Sequence, residues 1–169
     1  MARNLQFSTS YLGVEDRLLL QASFPDETEL RLLLTRRLTR GLLEAFDKLS
    51  EVLVKGRTDR PEMQRQVASF TREAAVGQAD FSQKYAKGTP HPLMADGPRL
   101  VTEVALVPGA DAKVTVRLKL DKGERLKFTL PESGLWSLAH LVAQQAEKGG
   151  WELGRRAEAE PAGAAGRLN

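Results

Sequence analysis

The stretch DETELRLLLTRRLTRGLLEAFDKLSEVL, residues 26–53, decides how the fold is read. Leu30, Leu34, Leu38, Leu42, Phe46, Leu49 and Leu53 recur at intervals of three and four, which lines one face of an α-helix. Pro25 stops whatever strand precedes it. Asp26 or Thr28 can cap a helix there, because a short side-chain oxygen accepts bonds from the free amides of a first turn. Glu27 and Glu29 suit the positive pole of such a helix, and Gly56 suits its C-terminal cap. The pattern predicts one long helix carrying Leu30 to Leu53. Leu32, Leu33 and Leu43 fall outside the stripe, so this helix is expected to be sandwiched, either within the domain or across an oligomer interface.

Upstream, Leu5–Thr9 and Arg17–Phe24 read as two strands joined by a turn at Gly13–Asp16, with Leu18, Leu20, Ala22 and Phe24 on one face. Downstream, Pro61 suits the first position of a second helix whose buried side is marked by Met63, Val67, Phe70 and Ala74. Residues 26–76 are thus expected to form a helical hairpin. Gly88 to Pro98, rich in proline and glycine, reads as an ordered loop. Three strands follow, Arg99–Val107, Ala112–Leu120 and Glu124–Leu130, joined by Pro108-Gly109-Ala110 and Asp121-Lys122-Gly123. A last helix opens at Pro131-Glu132-Ser133, buries Leu135, Leu138, Val142 and Ala146, and closes at Gly149-Gly150. Residues 155–169 hold alanine, glycine and charge with Leu168 as the sole large apolar residue, and are expected to form a disordered tail.

The fold class expected is α+β. An antiparallel sheet of about five strands carries two or three helices, with the long leucine-rich helix and the C-terminal helix on one face. Residues 1–154 form the single domain. Leu20-Gln-Ala-Ser-Phe-Pro-Asp26 and Leu126-Lys-Phe-Thr-Leu-Pro-Glu132 echo one another as strand, proline, acid and helix. Chance recurrence of a generic unit accounts for the echo more readily than duplication does.

Composition fits a globular chain, with 41% hydrophobic and 28% charged residues over 169 positions. There is no cysteine, which removes disulfides, thiolate metal sites and cysteine nucleophiles together. Residues 1–10 do not read as a secretory signal, and no apolar run approaches a membrane span. A cytoplasmic location without membrane contact is expected.

Glycine-rich phosphate loops and the G-x-S-x-G elbow are missing from the sequence, and the two histidines have no ligand-like spacing to carboxylates. No metal, cofactor or catalytic residue is therefore expected. His91, between Pro90 and Pro92, reads as a solvent-facing loop residue or, less simply, as a base on a rigid loop. His140 reads as a structural residue flanking the last helical stripe.

Charge does cluster, and it is positive. Six basic and two acidic residues lie between Ala112 and Leu130. Strand alternation places Lys113, Arg117, Lys119, Arg125 and Lys127 on one sheet face, opposite Val114, Val116, Leu118, Leu126 and Phe128. Such a face suits phosphate, although it offers no aromatic for base stacking. Arg36, Arg37 and Arg40 share a helical sector opposite the leucine stripe, with Leu33 within it and Leu43 at its border, which suggests an Arg-rimmed protein contact.

Three functions follow as expectations. The first is a non-catalytic interaction or assembly module, binding itself or another protein through Leu33, Arg36, Arg37, Arg40 and Leu43. The second is a nucleic-acid-binding module using Lys113, Arg117, Lys119, Arg125 and Lys127. The third is an enzyme with its site near the 88–98 loop.

Overall fold

A computed structural model describes residues 4–55, 57–58, 60–79, 81 and 83–153. Gly56 and the tail expected at 155–169 lie outside the described residues. The chain runs β1 (Gln6–Leu12), β2 (Arg17–Ser23), β3 (Thr28–Leu34), α1 (Arg36–Lys55), α2 (Pro61–Gln78), β4 (Thr89–Pro90), β5 (Arg99–Pro108), β6 (Lys113–Leu120), β7 (Arg125–Pro131) and α3 (Glu132–Lys148).

The stretch that opened the sequence reading is two elements, not one. Residues 28–34 form β3, and the helix begins only at Arg36. An interval of four, as from Leu30 to Leu34, satisfies a period of two as well as one of 3.6, and Leu32 between them fits only the strand. Leu30, Leu32 and Leu34 are buried at 5%, 1% and 2% exposure, facing Ala22, Leu20 and Leu18 of β2. Burial of each leucine stabilises the fold by about 1.5–3 kcal/mol, which outweighs the few tenths that helix propensity offers. Pro25 and Asp26 make a hairpin turn, closed by Phe24 N to Thr28 O at 2.9 Å, with Asp26 Oδ1 accepting from Thr28 N at 2.9 Å. Thr35 caps the helix instead: its Oγ1 accepts from Leu38 N at 3.1 Å.

The second helix is where expected, but its buried side is not. Phe70 is 69% exposed and Met63 44%, while Ala75 is the residue that α2 buries. The face turned inward is small and polar, and it is held by specific bonds. Arg72 Nη2 donates to Asp47 of α1 at 3.0 Å and its guanidinium lies 5.0 Å from the Trp136 ring of α3. Arg57, just beyond α1, donates to Thr71 of α2 at 3.3 Å and to Glu132 of α3 at 2.7 Å. These contacts fix the rotation of α2 and leave its larger apolar side chains in solvent.

The three C-terminal strands and α3 follow the sequence reading closely. The sheet is larger than expected, with seven strands in the order β1-β2-β3-β5-β6-β7 and β4 beside β3. The added strand β3 joins the two meanders. It runs parallel to β5 through Leu32↔Arg99 and Leu33↔Leu100, and all other neighbours in the main order are antiparallel. The Arg31 amide, between these pairings and those of Thr28 and Glu29 with β4, points to Met94 Sδ at 3.0 Å, and Met94 is fully buried in the short turn after His91.

Three antiparallel strands followed by a helix thus occur twice, as β1-β2-β3-α1 and β5-β6-β7-α3. The sequence echo aligned the end of β2 with the end of β7; the topological counterpart of Leu130-Pro131 is Leu34-Thr35. The helices are exchanged between the halves. Among the strands, α1 packs chiefly on β5, and α3 chiefly on β1, with β2, β7 and β6 in lesser contact. One core results, shared by inward residues of both meanders with Leu42, Phe46 and Leu49 of α1 and Leu135, Trp136, Leu138 and Val142 of α3.

Candidate nucleic-acid interface

Both strands of the β6–β7 hairpin alternate between core and solvent, whereas β5 shifts register between Val101 and Glu103. In β6, Val114, Val116, Leu118 and Leu120 are buried, and in β7 Leu130 is buried while Phe128 packs on Phe7 and Phe24. The opposite parity places all five candidate cations on the outer face. Arg117 lies directly across from Lys127, and Lys119 from Arg125. Directly opposed side chains stand about 5 Å apart and successive ones on one strand about 7 Å. Four cations therefore occupy adjacent corners of a compact block. The next row is Thr115 and Thr129, whose hydroxyls are 3.1 Å apart, and beyond it Lys113 faces Pro131.

One acid borders the block: Glu103 of β5, opposite Lys119, which it meets at 3.1 Å. Arg117, Arg125, Lys127 and Lys113 make no ion pair among the described residues. Like charges directly opposed in a sheet are destabilising, so this arrangement costs the fold something. By contrast Arg99, with its side chain only 12% exposed, is fully engaged: it meets Asp121 and Glu124 at 2.7 Å each, which raises its pKa and lowers that of Asp121, while Glu124 is lowered first by a backbone hydrogen bond and then by Arg99. The protein pairs its structural arginine and, among the described residues, leaves all of the face but Lys119 without an ion pair.

The residues expected to form a protein contact are not brought together. Leu33 stands on the outer face of β3, across from Leu19, and is not on α1 at all. Leu43 is on α1 but packs against the core. Arg36 is tied down, donating to Asp16 at 3.2 Å with its guanidinium 5.6 Å from the Trp151 ring. Arg37 and Arg40 remain exposed on α1.

The 88–98 loop is structural in its contacts. His91 Nδ1 accepts from Leu93 N at 3.1 Å and so caps the turn that carries Met94. Glu29, completely buried, anchors the preceding segment: it accepts from Gly88 N at 3.1 Å and from Gln21 Nε2 at 2.9 Å, with Arg31 alongside at 3.4 Å. No group of three or more metal-ligating side chains converges among the described residues, and no helix among them is long and apolar enough to cross a membrane.

Sequence reasoning missed one site, a cleft of about 630 Å³ between the start of β1, the end of α2, the end of β7 and the first turns of α3. It is assembled from segments that carry no motif, so no linear signal marks it. Comparison of the chain with protein-family models, curated proteins and solved structures finds no match.

Proposed function

We propose that the protein binds nucleic acid, with the outer face of β6 and β7 as a platform for phosphates. The observation that carries this is the opposition of Arg117 to Lys127 and of Lys119 to Arg125, unrelieved except by Glu103. Charges placed to blunt a sheet edge would suffice on β7, which is an edge strand. Arg117 and Lys119 stand on β6, an interior strand with no edge to protect. Repulsion among them is relieved by a polyanion, and phosphate contacts supply most of the sequence-independent affinity for nucleic acid. Assembly through α1 has less support, because of the surplus leucines that suggested it Leu32 is buried in β3, Leu43 packs against the core, and Leu33 stands on the outer face of β3 rather than on α1.

The test is fluorescence anisotropy with a labelled single-stranded oligonucleotide across a salt series. Five contacts give a log–log slope near −3.5, at about −0.7 each. Lys119→Gln with Lys127→Gln makes the slope shallower by about 1–1.5, with little dependence on base sequence. No binding in low salt overturns the proposal. Undiminished binding by the double variant moves the contact elsewhere, with Arg37 and Arg40 next to be changed.

A further inference from the structure

We infer that the cleft between β1, β7, α2 and α3 binds an uncharged planar heterocycle, a nucleobase, so that the protein holds bases as well as phosphates. This extends the nucleic-acid reading and rests on it for the polymeric ligand. The cleft's own chemistry is what specifies the base. Its volume, about 630 Å³, lies within the range of roughly 300–1,000 Å³ typical of small-ligand sites.

None of the described residues lining the cleft carries a charge. Among the described lining residues a phosphate, carboxylate or ammonium would find no counter-ion to offset its lost hydration. The polar groups are four primary amides, Asn4, Gln6, Gln78 and Gln83, with the hydroxyls of Ser133 and Ser137. Each amide presents a donor beside an acceptor, the pairing that matches the hydrogen-bonding edges of bases. Gln6 spends its oxygen on the Ala86 amide at 3.0 Å and keeps its NH₂. The side chains of Asn4, Gln78 and Gln83 make no hydrogen bond among the described residues and remain available.

The cleft also supplies the aromatic surface that the basic face lacks. Phe81 is 45% exposed at the cleft, with its ring centroid 5.3 Å from that of His140. Exposure of a phenylalanine costs hydrophobic free energy that a stacked base would recover. Tyr85 lines the same cleft, with its hydroxyl enclosed and turned to the buried Glu29 carboxylate, so that its ring is what it offers the cleft.

Position links the two surfaces. Pro131 lines the cleft and is the register partner of Lys113, the outermost cation of the platform. From Lys127 to Pro131 is four residues of strand, or roughly 13 Å, so a single strand whose phosphates follow β7 arrives at the cleft within a few nucleotides.

The experiment titrates the full chain with uncharged nucleosides, which carry no phosphate, by NMR chemical shift at low and high salt. Saturable shifts at the cleft, insensitive to salt, are expected. Phe81→Ala and Gln83→Ala, both at exposed positions, should each weaken them about fivefold or more, the size of one lost stacking or bidentate contact. Lys119→Gln with Lys127→Gln should leave nucleoside binding unchanged. Failure of nucleosides to saturate, or binding that survives both cleft substitutions, overturns the inference. Salt-dependent oligonucleotide binding without nucleoside binding removes the cleft and spares the platform; nucleoside binding without oligonucleotide binding removes the platform and spares the cleft.

Discussion

Trp151 donates its indole N–H to Asp16 Oδ1 at 2.7 Å, a bond that joins positions 135 residues apart in the chain. The same oxygen accepts from the Tyr11 hydroxyl at 2.7 Å, and Arg36 meets the other oxygen at 3.2 Å. The β1–β2 turn, the start of α1 and the segment after α3 are thereby tied at one carboxylate. Close packing completes the junction: a Cβ on Gly149 would stand 2.8 Å from the Tyr11 ring.

This junction gives the fold an acid-sensitive point. The Trp151 indole, then the Tyr11 hydroxyl and Arg36, hold the Asp16 pKa below its ordinary value. A depressed carboxylate contributes stability that is present above its unfolded pKa, near 3.9, and is lost as pH falls through the folded one. Asp16→Asn should therefore melt at a lower temperature than the parent at neutral pH, and the gap should narrow below about pH 4. Thermal melts followed by tryptophan fluorescence read this directly; a gap independent of pH would show that the charge is not what matters.

Two glycines should respond in opposite directions to alanine. At Gly88 a Cβ would lie 2.4 Å from the Glu27 carbonyl oxygen, and the adjacent amide bonds buried Glu29. Backbone cannot step aside cheaply there, and Gly88→Ala should cost about 1–3 kcal/mol. Gly41 sits exposed within α1 with nothing within 4 Å of the added carbon. Gly41→Ala should stabilise by about 0.5–1 kcal/mol. Urea unfolding measures both.

The strand assignment of residues 28–34 separates adjacent leucines. Leu34→Ala should cost about 2–5 kcal/mol, because the side chain is 2% exposed in the shared core. Leu33→Ala, on the opposite face, should cost clearly less. Equal costs would contradict the period of two.

On the basic face, Lys127→Glu places an acid directly across from Arg117. Stability should hold or rise slightly, by no more than about 0.5 kcal/mol at so exposed a position, while oligonucleotide affinity falls. A variant that gains stability as it loses binding identifies the like-charge block as a binding surface; loss of stability would identify it as structural.

The strands from residue 99 to 131 were legible because alternation is unbroken in β6 and β7 and each turn carries glycine, although β5 shifts register between Val101 and Glu103. The cations of β6 and β7 could be placed on one face for the same reason, before any register was known. Residues 26–34 were misread because leucines two and four apart fit a strand and a helix in part, and Asp26 suits a turn as well as a cap. On α2 the apolar residues predicted the wrong face, since Arg57 at Thr71, and Asp47 and Trp136 at Arg72, hold it from three other segments. The cleft escaped for a related cause: its amides come together only through tertiary structure.

Because α1 packs chiefly on β5 of the second half and α3 chiefly on β1 of the first, neither half owns a finished core. A polypeptide ending before β5 would leave β1–β3 without α3, and one starting at β5 would leave that strand without α1. Neither piece should persist alone, and no partly unfolded species can keep one half while losing the other. Denaturation should accordingly be a single cooperative event, with far-UV and near-UV signals superimposable. Mixing the two pieces offers each the roof it lacks, so a complementary pair of fragments should recover in association the structure that both lack in isolation.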